Sequence, residues 1–158
     1  MEQIRIRNME ESDIPAVLVV EQENFSIPWS EKSFRDMLQR PESLFLVAER
    51  AFSEENREVA GSEVLGYAGA VVAGAEGDVT NIAVLDREKQ KGIATVLLKH
   101  LIRETIAKGV QDLFLEVREH NVPALRLYEA AGFVPVGRRK GYYDKPKEDA
   151  VLMKKALP

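Results

Sequence analysis

Apolar and polar positions alternate over residues 3–7, the period-two signature of a half-buried strand. A helical pattern follows. Ser12 is in place as an N-cap and Pro15 falls in the first turn. Ile14, Val17, Leu18 and Glu21 share one face of a helix predicted to run to about Glu23. Residues 25–29 (FSIPW) read as a loop with two large aromatics. Ser30 then caps a short second helix, with Phe34, Met37 and Leu38 inward, which stops before Pro41. Strands are expected over 44–49, over 64–73 with Gly66 and Gly69 inside it, and over the apolar run 79–85, with a turn at 74–78. Residues 51–63 lack periodicity and read as an exposed loop.

After strand 79–85 comes a charged turn, residues 86–91. Gly92 then opens a helix whose Ala94, Leu97, Leu98, Leu101 and Thr105 line one face, and Gly109 ends it. A strand at 112–117 follows this helix, so a crossover makes it parallel to 79–85. Asn121 caps the next helix, Pro123 lies in its first turn and Gly132 terminates it. The last strands are expected at 133–137 and 150–154, joined by a basic, aromatic loop at 138–145 (RRKGYYDK). The pattern is mixed α/β, with antiparallel strands leading into one parallel pair. No repeat or internal boundary interrupts it, so the whole chain, 1–158, is expected to form one domain.

Composition narrows the chemistry. Of 158 residues, 45% are hydrophobic and 30% charged, enough for a sizeable core. A net charge of −4 without a long basic run argues against nucleic acid as partner. The absence of cysteine excludes disulfides, thiolate nucleophiles and cysteine-ligated metals, and suits a reducing compartment. With only His100 and His120 available, no metal is expected. Residues 1–11 do not resemble a signal peptide, and no apolar run reaches the roughly 20 residues of a membrane span. A cytoplasmic location with no membrane partner is the expectation.

Strand, loop, glycine, helix is the layout of an anion-binding helix N-terminus. The first helical amides lack partners and face the positive end of the dipole. One glycine is equally consistent with an ordinary turn. Glu116 lies near the C-terminal end of a central strand, where ligands of α/β sheets bind, and could take a proton from a substrate. It could instead pair with Arg118 or Arg126. Asn121 and Tyr128 are two helical turns apart on one face, with small Ala124 between them. Asn121 also suits a plain N-cap, and Tyr128 a core aromatic.

Residues 89–94 (KQKGIA) resemble the Q/R-x-x-G-x-G/A motif of the GNAT superfamily of N-acetyltransferases, with Lys89 in place of the usual Gln or Arg. Residues 113–133 (LFLEVREHNVPALRLYEAAGF) look like the corresponding stretch of ribosomal protein alanine N-acetyltransferases. So do 27–30 (IPWS), 81–84 (NIAV) and Gly141, Tyr142 and Tyr143 through Ala150. The resemblance implies a mostly antiparallel sheet with one splayed parallel pair, flanked by helices. It also implies acetyl-coenzyme A as co-substrate. The backbone of Gln90, Lys91, Gly92, Ile93, Ala94 and Thr95 would hold the pyrophosphate. Ile82, Ala83 and Val84 would pair with the pantetheine arm, and Asn121 and Tyr128 would contact the cofactor. Glu116 would be the general base and Tyr128 the general acid. Trp29 and Tyr142 would line the entry of a peptide acceptor beginning with alanine, as in the small-subunit ribosomal protein numbered eighteen. An activated thioester needs no enzyme nucleophile, so the lack of cysteine is no obstacle.

Competing readings are an acetyltransferase of a small amine such as a polyamine or aminoglycoside, and a non-catalytic acyl-coenzyme A-binding module. A nucleotide-binding protein is a weaker fit, since no GKS/GKT phosphate loop is present.

Overall fold

The computed structural model describes residues 3–51 and 63–158. The expected 51–63 loop falls almost wholly outside the described residues. The strands are β1 (Gln3–Asn8), β2 (Ser43–Ala51), β3 (Glu63–Ala73), β4 (Glu76–Val84), β5 (Asp112–Arg118), β6 (Val134–Tyr143) and β7 (Glu148–Ala156). The helices are α1 (Ile14–Asn24), α2 (Glu31–Leu38), α3 (Ile93–Ala107) and α4 (Val122–Ala130). The strands form one sheet in the order β1-β2-β3-β4-β5-β7-β6, antiparallel except for β4 and β5.

The two faces of the sheet carry separate apolar clusters. On one face, Leu97, Leu98 and Leu101 of α3 pack against Leu65, Leu113 and Met153, all buried. On the other, Val17 and Val20 of α1 and Phe34 of α2 close over Phe45, Tyr67 and Ala83. Gly69 lets the Phe45 ring lie flat on β3: a Cβ there would stand 2.2 Å from the ring. The period-3.6 pattern selects the side each helix presents to the sheet, whereas β2, β3 and β4 carry apolar residues on both faces and are covered on both.

Three local expectations are corrected. Residues Glu11–Asp13 form a 3-10 turn before α1, and the cap is a reciprocal box between Glu10 and Asp13 rather than Ser12. The Asp13 carboxylate also takes the Arg7 guanidinium at 2.7 Å, which holds its pKa below the usual carboxylate range despite its burial. The 74–78 turn is tighter, since β4 already begins at Glu76. Residues 138–143 continue β6 instead of forming a loop. β7 reaches far enough to pair Arg139 with Ala150 and Tyr143 with Glu148, with an irregularity that spans Gly141.

The parallel pair positions the site. β4 and β5 are in register only at Glu76–Asp112, Gly77–Leu113 and Asp78–Phe114. Beyond Asp78 the strands part, while β5 stays paired with β7 along its length.

Candidate active site

The parting strands open a groove of about 1820 Å³. Its walls come from β4, β5, α4 and the outer half of β6. Gly92 stands at one end, and the α1–α2 connection contributes Phe25 to Ile27 and Trp29. Every candidate site residue named above except Lys91 lines this one groove: Trp29, Ile82, Ala83, Val84, Gln90, Gly92, Ile93, Ala94, Thr95, Glu116, Asn121, Tyr128 and Tyr142. The fold brings them together from five separate elements and the connections between them.

At the Gly92 end the backbone makes a cradle. Gln90 and Gly92 both have positive φ, 65° and 83°. Gly92 is the N-cap of α3 and supplies no side chain to its amides. The first intrahelical bond runs from the Val96 N–H to the Gly92 carbonyl at 3.2 Å. The N–H groups of Ile93, Ala94 and Thr95 therefore lie outside the helix ladder. Nothing lies within 4 Å of the position a Gly92 Cβ would take, so the space in front of these amides is open. An anion fits there. The nearby cations are held elsewhere. Lys89 pairs with Asp86 at 2.6 Å, and Lys91 with buried Glu88 at 2.8 Å. The unusual lysine of the motif thus braces the turn before the helix. Lys91 is tied to the same turn through Glu88.

Further along, β4 offers backbone to the groove. Part of it is already used: the Val84 carbonyl accepts the Asn24 amide at 2.9 Å. That carbonyl is therefore engaged in holding α1, and the expected pairing at Val84 is confined to its N–H.

Glu116 stands on β5 with Phe114 and Arg118 on one face, while Leu113, Leu115 and Val117 are buried on the other. Its partners differ from those expected. Arg139 of β6 approaches at 3.6 Å, and Glu116 faces the Tyr142 hydroxyl closely enough to raise the Tyr142 pKa. Arg118 turns away to Glu148 at 3.1 Å and to the carbonyls of Asp144 and Pro146, and lies over the Tyr143 ring. The alternative partners, Arg118 of the same strand and Arg126 of α4, thus give way to two residues from the long β6 strand.

Asn121 caps α4, its Oδ1 accepting the Ala124 N–H at 3.2 Å. Tyr128 packs edge-on against Phe133 at 5.7 Å. Burial, with a smaller contribution from Tyr143, pushes the Tyr128 pKa well above that of a free phenol. It therefore stays in its O–H form across the working pH range, as a proton donor must.

On the α1–α2 side, Trp29 packs on Phe34 at 5.2 Å and Phe45 at 6.2 Å. It is anchored in the core as well as facing the groove, while Ile27 and Tyr142 are exposed nearby. Four charged or polar groove residues were given no individual site role by the sequence reading: Glu21, Asn81, Asp78 and Arg139. Glu21 is placed by the helical pattern on the buried face of α1, and a carboxylate there was the available signal. Burial, together with the charges of Glu116 and Glu76, raises the Asp78 pKa.

This sheet, with its splayed parallel pair and a glycine-capped helix rising from the opening, defines an acyl-coenzyme A-dependent N-acetyltransferase. Residues 14–133 match the acetyltransferase (GNAT) family, and the chain belongs to it. The [ribosomal protein bS18]-alanine N-acetyltransferase of Escherichia coli (strain K12) is 34% identical over 155 residues, 97% of this chain and 96% of that protein. The enzyme of the same name from Haemophilus influenzae is 35% identical over 152 residues, 94% of this chain and 95% of that one. The crystal structure of the ribosomal-protein-S18-alanine N-acetyltransferase from E. coli superposes with a TM-score of 0.84 at 32% identity, covering 98% of this chain and 94% of that one.

Proposed function

We propose that this enzyme transfers the acetyl group of acetyl-coenzyme A to the α-amine of a protein that begins with alanine, the ribosomal protein bS18 being the acceptor its relatives are named for. The observation that carries this reading is the single groove in which an anion cradle, a strand-end carboxylate, a buried phenol and an aromatic entry all meet.

The thioester supplies an activated acyl group. The enzyme's residues do the rest. The amides of Ile93, Ala94 and Thr95, with the turn Gln90-Lys91-Gly92, hold the diphosphate. Ile82 and the Val84 N–H align the arm along the free edge of β4, with Ala83 between them turned to β3 and Asn121 beside the arm. Glu116, oriented by Arg139 and Tyr142, takes a proton from the acceptor ammonium, directly or through water, because only the free amine is nucleophilic. As the C–N bond forms and the C–S bond breaks, Tyr128 gives its proton to the leaving sulfur. Holding both substrates in one groove supplies a large share of the rate. Exposed Ile27 and Tyr142, with Trp29 beneath, shape the entry for a small first side chain. The enzyme acts as a single domain without a metal. The lack of cysteine fits a cytoplasmic setting.

A small polycation is the second reading, favoured by Glu76 and Asp78 beside Glu116. The experiment is a thiol-release assay with acetyl-coenzyme A and peptides differing only at residue one, set beside a polyamine. Preference for alanine supports the proposal. Turnover of the polyamine alone supports the second reading.

A further inference from the structure

Glu21 is 1% exposed, on the groove side of α1, and the steps above make no use of it. Two donors converge on its carboxyl: Tyr67 O–H reaches Oε1 at 2.5 Å and the Trp29 N–H reaches Oε2 at 3.2 Å. The Asn81 side chain faces both the Glu21 carboxyl and the Tyr67 oxygen and counteracts the rise of both pKa values, as a donor does. Only its amide nitrogen can act in that way. Turning the amide over would set its oxygen against a carboxylate. The orientation is therefore fixed, with Nδ2 toward Glu21 and Tyr67.

That leaves Asn81 Oδ1. Asn81 is only 7% exposed, and Oδ1 has no hydrogen-bond partner among the described residues. A buried acceptor without a donor is costly, because its hydration is lost and nothing replaces it. Asn81 lines the groove, so a ligand there can supply the donor.

The backbone says which ligand. β3 and β4 slip register between Gly69 and Ala70, which pair with Asn81 and Val79. Thr80 is the extra residue of a bulge, the device that re-aims a side chain. Without the bulge, Asn81 would share the α3 face with Val79. With it, Asn81 joins Asp78, whose register partner Phe114 shares a face with Glu116. Asn81 thus stands on the same side of the sheet as the base, the side covered by α1 and α2.

We propose that Asn81 is a positioning residue for the acceptor, its Oδ1 accepting one N–H of the α-amine while Glu116 takes the proton from another. Glu21 holds Asn81 in that orientation and, through the Trp29 N–H, ties it to the entry loop. The inference rests on the N-terminal acetyltransferase reading.

The test compares the parent enzyme with Asn81→Ala and with the double variant Asn81→Asp, Glu21→Gln, using an alanine-initiated peptide and, separately, acetyl-coenzyme A binding by calorimetry. Asn81→Ala should lose roughly 10- to 100-fold in kcat/KM for the peptide, the effect of removing a hydrogen bond to a charged group. Most of the loss should fall in the peptide KM, with acetyl-coenzyme A affinity unchanged. Asn81→Asp combined with Glu21→Gln keeps the acceptor oxygen toward the groove, with the new amide at position 21 restoring the donor between the two side chains, and should recover much of the loss. An unchanged peptide KM in Asn81→Ala overturns the inference, as does a parallel fall in acetyl-coenzyme A affinity. If Asn81→Ala does not fold, the Asn81→Asp, Glu21→Gln double variant decides alone, and a folded but peptide-blind double variant counts against it. A parent enzyme that acetylates no peptide overturns the underlying reading, and this inference with it.

Discussion

Gly92 and Gly109 flank the same helix, and together they separate backbone strain from ligand binding. Gly92 has φ +83° and Gly109 φ +88°, and a Cβ at either would meet nothing within 4 Å. Alanine at each position therefore adds no clash within the protein. It adds only the left-handed penalty of an L-residue, about 1–2 kcal/mol. For a domain of this size that corresponds to a drop in Tm of roughly 2–8 °C, similar for both variants. Function should split them. A methyl group at 92 projects into the open space before the Ile93–Thr95 amides, where the diphosphate is proposed to bind. One at 109 lies at the far end of α3. Gly92→Ala should raise the KM for acetyl-coenzyme A at least about tenfold, a loss of about 1.4 kcal/mol or more, and Gly92→Val further. Gly109→Ala should leave KM at the parent value. Thermal melts and initial rates at varied acetyl-coenzyme A measure both. Equal KM values for Gly92→Ala and Gly109→Ala would refute the cradle.

Glu116→Gln should lower turnover by about two to four orders of magnitude while calorimetry shows acetyl-coenzyme A affinity intact; near-parental rates would leave Glu116 as a mere partner of Arg139. Tyr128→Phe keeps the ring packing on Phe133 and removes only the proton, so kcat should fall more than peptide KM rises; a parent-like kcat in single-turnover measurements would remove the acid role. Burial raises the Glu21 pKa above its ordinary 4.5, against the donors Tyr67, Trp29 and Asn81. A raised acid stabilises the fold only while protonated, so that contribution is complete below pH 4.5 and is lost as pH rises through the folded-state value. Denaturant melts of Glu21→Gln beside the parent should show the parent's advantage shrinking from pH 4 to pH 8; a constant difference would contradict this.

Much of the architecture was legible because the apolar periods are strong. The α3 face, the buried β4 and β5 runs and the Ser30 cap, which accepts the Ser33 N–H, follow from local pattern alone. So does the parallel relation of β4 and β5, since a helix joins them. What local pattern cannot carry is long-range pairing. Residues 138–143 look like a loop because Arg, Lys and Gly dominate them. They become strand because β7 lies alongside, and an edge strand tolerates such residues. The same pairing brings Arg139 and Tyr142 to Glu116, displacing Arg118, which is drawn to Glu148. The Glu21–Tyr67–Asn81 network joins three elements distant in sequence, and its key residue depends on a bulge that no periodicity marks. The start of α1 was misplaced because the Asp13 carboxylate, fixed by Arg7 of β1, outcompetes the Ser12 hydroxyl as a cap.

The central claim is that this groove delivers an acetyl group to a peptide α-amine. Tandem mass spectrometry of an alanine-initiated peptide that also contains an internal lysine tests it directly, after incubation with the enzyme and acetyl-coenzyme A. The account predicts one acetyl group, on the α-amine of the alanine, and none when Glu116→Gln replaces the parent over the same interval. Acetylation of the lysine side chain instead, or an unmodified peptide beside rapid acetylation of a polyamine, would contradict it.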